Sequence, residues 1–401
     1  MAMPPPVMPE IDFYNDPIPD LHDRLLEMRK NHEGVVPVRA FGSTTWLVID
    51  HDLVDQCFRD YVSFDPHPFY GQYLEPFQGR TLLTLEGAEH HANRMLVQPS
   101  FTPGTVRKYV EPLIEPTAHE LLDAIDGQDE VNLKEAFCRP FPFRVITKLL
   151  GMPVQDEAQL IKWAFEMING MFEPELAIAA NKLFDDFIMP IVEDRRRHPK
   201  DDLISQIVQM EIDGQKLDQE AILAFLRTLY PAGGHSTSLN FGSACYCALA
   251  NPQARTEIMK GEAERWAVTQ ETLRWEPAFG IMTRFVTADV TIGGCEMKKG
   301  QLIFLAISGA NNDPKVFPEP RRFDPHRSNH RDIITFGRNV HMCLGRHLAS
   351  REIEVGLRVL FERFPQMELA PDRPVAFTGT IFRTCEDLWV RPYGASKAKA
   401  A

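Results

Sequence analysis

Residues 336–345, Phe336-Gly-Arg-Asn-Val-His-Met-Cys-Leu-Gly345, constrain this chain more than any other segment. They stand directly before a helical pattern that runs roughly over 345–363. Gly337 and Asn339 tolerate left-handed backbone angles, so the segment can turn tightly before the helix starts. Cys343 is thereby set at a helix N-terminus, where unpaired N–H groups and the helix dipole favour an anionic sulfur. An arbitrary cysteine is usually a buried apolar filler. The other six, at 57, 138, 245, 247, 295 and 385, have no comparable frame. An odd number of scattered cysteines without a CxxC pair is no disulfide framework, and a reducing cytoplasm is the expected setting.

The rest of the chain reads as mainly α with small β-sheets. The first ten residues are Pro-rich and read as an extended N-terminal segment, and residues 394–401 as a disordered tail. Residues 36–50 hold two short strands around a Gly-Ser turn. Residues 64–85, with Pro66, Pro68, Phe69, Tyr70, Tyr73 and Phe77, read as a long aromatic loop. From about 87 to 275 the pattern is helical, broken at Pro-containing joints. Strand character returns over 284–308 and near 375–391. No repeat or linker divides the 401 residues, which are read as one domain. An apolar fraction of 44% suffices for a sizeable core. The formal charge of −13 argues against nucleic acid as a partner, because phosphate binding needs an excess of Lys and Arg. No run approaches the ~20 apolar residues of a membrane span, and no signal-peptide pattern is present, so a soluble protein without a membrane anchor is expected.

The cysteine segment resembles the haem-binding signature of the cytochrome P450 family, Phe-Gly-x-Gly-x-His-x-Cys-x-Gly. Asn339 stands where that pattern has its second Gly, and Asn is the next best residue for positive φ. The resemblance spans about residues 36–391. It implies the cytochrome P450 fold, with haem b between a long kinked distal helix and the cysteine-loop helix and Cys343 as the axial thiolate. N–H groups at the helix start would tune the iron, and Gly345 leaves room for a flat ring. Glu271-Thr-Leu-Arg274 puts two opposite charges on one helical face and resembles the family's Glu-x-x-Arg pair. That pair forms an ion network with a downstream arginine: Arg322 is the first candidate and Arg327 the second. Buried haem propionates need cationic or hydrogen-bonding partners. Four residues fall at family-like positions: His90 and Arg94 in Glu89-His-His-Ala-Asn-Arg94, Arg284 after Thr283, and His341 in the cysteine segment.

A long helix is read from about Leu217 to Ala250. Pro231, Gly233 and Gly234 should kink or bulge it. Gly233-Gly234-His235-Ser236-Thr237-Ser238 resembles the family's oxygen-binding groove, except that Ser236 replaces the acid. Cleaving dioxygen takes two protons. Thr237 keeps the family's alcohol, whereas Ser236 can pass a proton but has no acidity of its own. Thr237 and Ser236 are thus the catalytic candidates. His235, one residue earlier, should point to another side of the helix.

The resemblance implies that a hydrophobic small molecule is oxidised by one atom of O2, by hydroxylation or a related reaction, with electrons from NAD(P)H through a reductase and ferredoxin. Substrate-facing candidates are Gly233, Phe279, Ile281, Met282 and Ile381. A ferredoxin-type donor would dock near Arg338, Arg346 and Arg351 by complementary charge, and the protein is expected to be a monomer. Two alternatives stand beside this reading: a peroxide-using haem-thiolate enzyme or an isomerase or dehydratase, and a non-catalytic haem or ligand sensor.

Overall fold

In the computed structural model, which describes residues 3–212 and 214–394, helices dominate and the strands are short. The expected tail lies outside the described residues except for Gly394. The Pro-rich lead-in runs along the first strand, with the Val7 N–H donating to Pro37 O at 2.7 Å.

The two strands read from residues 36–50 are Val35–Ala40 and Ser43–Val48. They form one side of a five-stranded sheet, followed in order by Leu302–Leu305, Met282–Val286 and Phe64–Asp65. Leu302–Leu305 runs parallel to Ser43–Val48, with Ile303 opposite Trp46, and antiparallel to Met282–Val286, where Ile303 faces Arg284. Segments far apart in sequence thus meet in one sheet, as such short strands require. The expected loop over 64–85 is different in detail. After the strand come two short helices, His67–Tyr73 and Glu75–Gln78. Pro68 and Pro76 sit in their first turns, where the missing N–H would have had no partner anyway.

The long helix spans Gln219–Ala250. The Asp218 side chain caps it by accepting the Ala221 N–H at 2.8 Å. It is buried on nearly every side, as expected of a helix that crosses a core rather than lying on one. The helix continues through 231–238 with Pro231 inside it and without a bulge. The two glycines have another use here. A Cβ at Gly234 would collide with the Phe143 ring, and one at Gly233 would lie 2.9 Å from Ile146. Both neighbours belong to the helix Pro140–Leu150, so Gly233 and Gly234 let two helices cross closely. The cysteine-loop helix, Arg346–Arg363, meets the long helix in the same way. A Cβ at Gly356 would come within 2.6 Å of Phe241. Among the described residues no helix is long and apolar enough to cross a membrane.

Candidate active site

Cys343 is the only exposed cysteine of the seven. The segment before it turns as its composition demands, with Gly337 at φ 69° and Asn339 at φ 60°. Asn339 does something glycine could not: its Nδ2 donates to Arg59 O at 2.9 Å, tying the turn to a neighbouring helix. The Cys343 N–H donates to Phe336 O at 2.8 Å. Surrounding protein pushes the thiol up, while N–H groups of Gly345 and Arg346 and the charges of Arg94 and Arg346 act in the opposite direction. A group that is solvent-accessible yet surrounded by protein lies on the wall of a recess. The neighbours of Cys343, Met342 and Leu344, line a cavity of about 1090 Å³, together with His90, Arg94, His341 and Arg346 among others. Its volume is at the upper end of the roughly 300–1,000 Å³ of small-molecule and cofactor sites.

The four expected propionate partners come together. The rings of His90 and His341 are 4.6 Å apart. Arg94 donates to Met342 O at 2.7 Å, next to the cysteine. Burial lowers His341 to about 4, and His90, Arg284 and Arg94 add to the effect. Arg284 is only 4% exposed and lies over the Phe58 ring. Its hydrogen bond goes to the adjacent Thr283 O. Among the described residues no carboxylate forms an ion pair with Arg94 or Arg284. Buried cations are ordinarily paired, so this cluster fits a ligand that brings two carboxylates, as haem does.

The Glu-x-x-Arg pair is fully buried and bidentate, with Arg274 Nε and Nη2 each 2.7 Å from Glu271. The third member is Arg327, not Arg322. Arg327 Nε reaches Glu271 Oε1 at 3.2 Å. The Arg322 side chain points to solvent and pairs with Glu319, because the turn after it carries Arg327 inward. Arg274 also donates to Asn311 O, Asn311 holds Thr335 and the Ile334 N–H, and Thr335 donates back to Leu273 O. This network fixes the residues that lead into the cysteine segment.

On the long helix, Ser236 and Ser238 hydroxyls are committed to backbone carbonyls, those of Ala232 and His235. Thr237, buried between them, has no such bond among the described residues. His235 does face elsewhere, its ring edge-on to Phe165 and Phe382 at 4.8 and 4.7 Å. Asn240, one turn beyond Thr237, accepts the Ala278 N–H at 2.9 Å and so ties the helix to the 278–282 segment. Sequence reasoning missed it, although a lone amide in an apolar helix was a visible signal.

Of the substrate candidates, Phe279 is bridged to Phe382 with rings 4.9 Å apart, while Met282 and Ile381 are half-buried and pack against two different core clusters. Ile281 is a correction. It is 0% exposed and belongs to the cluster under the sheet, because neighbours in an extended chain point to opposite faces. Gly233 is filled by Ile146, as described above. The basic patch is also smaller than expected. Arg338 pairs with Asp55 at 2.9 Å and Arg351 with Glu262 at 2.6 Å, leaving Arg346 among the three without an acid partner. A second missed feature is a buried cluster on Glu276. Arg383 binds it, His22 reaches it at 2.9 Å and Arg321 at 3.6 Å, which joins the first helix to the C-terminal hairpin.

The sequence model of the family described as Cytochrome P450 matches residues 14–261 and 266–378. The chain is 35% identical to the polyketide biosynthesis cytochrome P450 PksS of Bacillus subtilis over 292 residues, 72% of this chain and 71% of that one. It is 31% identical to 6-deoxyerythronolide B hydroxylase of Saccharopolyspora erythraea over 357 residues, 84% and 87% of the two chains. The solved structure of cytochrome P450 CYP109Q5 from Chondromyces apiculatus superposes with a TM-score of 0.84 at 26% identity, covering 95% of this chain and 97% of that one. The PksS structure gives 0.83 at 30% identity, covering 93% and 97%.

Proposed function

Because this chain belongs to the cytochrome P450 family, a haem-thiolate monooxygenase of small molecules, we propose that Cys343 is its axial iron ligand and that its substrate is a hydrophobic natural product of the polyketide kind. The observation that carries the assignment is the only exposed cysteine, set between Met342 and Leu344 on a cavity that His90, Arg94 and His341 also line, with Arg284 close enough to act on His341. Bound haem supplies the redox chemistry, in which O2, two electrons and two protons convert a C–H bond to C–OH and release water.

The chain's own residues do the rest. Cys343 offers the sulfur, steadied by the N–H groups of Gly345 and Arg346. Arg94 and Arg284 supply two positive charges for two carboxylates, and His90 and His341 supply ring nitrogens. Thr237 has the uncommitted hydroxyl on the long helix and holds the proton at its Oγ1. Protons reach it through Ser236 and water, since no acid stands at 236. Phe279, Met282, Ile381 and Phe382 form an apolar wall that orients substrate and excludes water. Electrons come from NAD(P)H through a reductase and a ferredoxin-type donor that docks beside Arg346, and the protein works as a cytoplasmic, single-domain monomer. The resemblance to 6-deoxyerythronolide B hydroxylase favours oxygenation over a ligand sensor.

Two experiments test this. A screen of polyketide-type ligands, read by the haem spin-state change and followed by product analysis, should find a binder that gains one oxygen atom. Binders that are never oxygenated with any ferredoxin would overturn the reading. Ser236→Asp should raise product formed per NAD(P)H consumed. An unchanged ratio, rate and solvent isotope effect would remove position 236 from the proton route.

A further inference from the structure

At the rim of the same cavity stands a group of side chains that the haem site does not use. Asp65 ends the strand Phe64–Asp65, His67 opens the helix His67–Tyr73, and Glu86 precedes the helix Gly87–Val97 that carries His90 and Arg94. One ligand atom from each lies within 4.8 Å of the other two. We propose that Asp65, His67 and Glu86 form a site for a divalent transition-metal ion of the zinc type, which clamps the strand–helix corner to the start of the propionate-binding helix.

The spacing argues for it. His67 Nδ1 and Glu86 Oε2 are 3.7 Å apart, too far for a hydrogen bond. Two ligands of a tetrahedral ion at bonds of about 2.0–2.2 Å are separated by roughly 3.3–3.6 Å. The 3.7 Å between His67 and Glu86 lies close to that interval, and a side-chain shift of about 1.2 Å brings the widest pair, within 4.8 Å, to it. The chemistry argues for it as well. Imidazole suits zinc, copper and nickel, and two carboxylates supply the charge. Among the described residues neither Asp65 nor Glu86 has a Lys or Arg ion-pair partner. Asp65 Oδ1 is already fixed by the His67 N–H at 2.8 Å, which orients the carboxylate and leaves Oδ2 free. Three ligands leave the remaining coordination positions to water.

The test uses the holoenzyme, stripped of divalent ions with a chelator and titrated with zinc chloride by calorimetry. The expected result is one site per chain, weakened at least tenfold in Glu86→Gln and in His67→Ala but unchanged in His198→Ala, a control at an exposed histidine 72% open to solvent. Zinc should also raise the melting temperature of the wild-type holoenzyme and not that of Glu86→Gln. Glu86 is exposed, so that variant folds, and an unchanged haem spectrum verifies it. Equal zinc affinity in wild type and Glu86→Gln, or equal weakening by His198→Ala, would overturn the proposal.

Discussion

Replacing Arg327 with Ala, beside the same change at Arg322, tests the network that holds the cysteine segment. Arg327 bonds to Glu271 and donates to the carbonyls of Pro318, Glu319 and Arg322 at 2.8, 3.0 and 3.0 Å, with a side chain 8% exposed. Removing one partner of a fully buried ion pair costs about 3–5 kcal/mol. Here Glu271 keeps Arg274 and the Asp324 N–H, so the loss is smaller, about 2–3 kcal/mol. Unfolding entropy of roughly 2.1 cal/mol/K per residue implies a fall in Tm of about 3 °C for a chain of this length. Arg322 is 63% exposed and pairs with Glu319 in water. Its removal should cost under about 0.5 kcal/mol and shift Tm by less than ~1 °C. Thermal melts of both holoenzymes, followed by haem absorbance and by far-ultraviolet dichroism, measure the difference. In Arg327→Ala the haem signal should fail before the helical signal, because the Asn311–Thr335 tie leads to the cysteine segment. Equal Tm shifts, or a larger one for Arg322→Ala, would refute the reasoning.

Three further outcomes follow from the same geometry. Arg284→Leu should release haem at least tenfold faster, measured by transfer to an excess of an apo-globin, since a lost charge-assisted bond is worth about 1.5–3 kcal/mol; unchanged release would separate Arg284 from the propionates. Gly234→Ala should drive a methyl into Phe143 and destabilise by about 1–3 kcal/mol in a urea melt, whereas Gly104→Ala, at an exposed position with no atom within 4 Å of its Cβ, should cost less than half as much. Burial pushes Glu276 up, but His22, Arg383 and Arg321 overcome it and hold it at about 2. A carboxyl depressed on folding contributes stability above its unfolded pKa that is lost as pH falls through the folded one. The stability gap between wild type and Glu276→Gln should therefore be full at neutral pH and close between about pH 4.5 and 2; a gap constant over that interval would contradict the assignment.

What could be read from the sequence is what lies close together in it. The turn at Gly337 and Asn339, the helix behind Cys343 and the i, i+3 pair Glu271–Arg274 are local, and each appears in place. The errors are long-range. Arg322 and Arg327 are equally plausible by spacing, and the turn that separates them decides which faces inward. Ile281 lies beside Met282, yet alternation along the extended chain sends the two into different clusters, with Ile281 wholly buried. Arg338 and Arg351 look like a basic patch until Asp55 and Glu262, far away in sequence, neutralise them. The Glu276 cluster joins residues 22, 276, 321 and 383, and no pattern along the chain links them. Gly233 and Gly234 were read as a weak point in a helix because Phe143 and Ile146, which need their small size, lie some ninety residues earlier.

The charges around the cavity explain why four separate motif residues belong to one site. Burial and the neighbouring arginines lower both His90 and His341, the latter to about 4, so both rings are neutral at physiological pH. The arginines acting on His341 are Arg94 and Arg284, and among the described residues neither is in an ion pair with an acid. Two carboxylates match them, and the neutral rings can still donate hydrogen bonds through their N–H groups. Protonating both rings would add positive charge against the same two carboxylates. A protein of net charge −13 thus gathers unpaired arginines beside two neutral imidazoles at one place in its fold. The two acids that line the cavity, Asp65 and Glu86, form no ion pair with Arg94 or Arg284, an arrangement no single motif states and only the assembled fold displays.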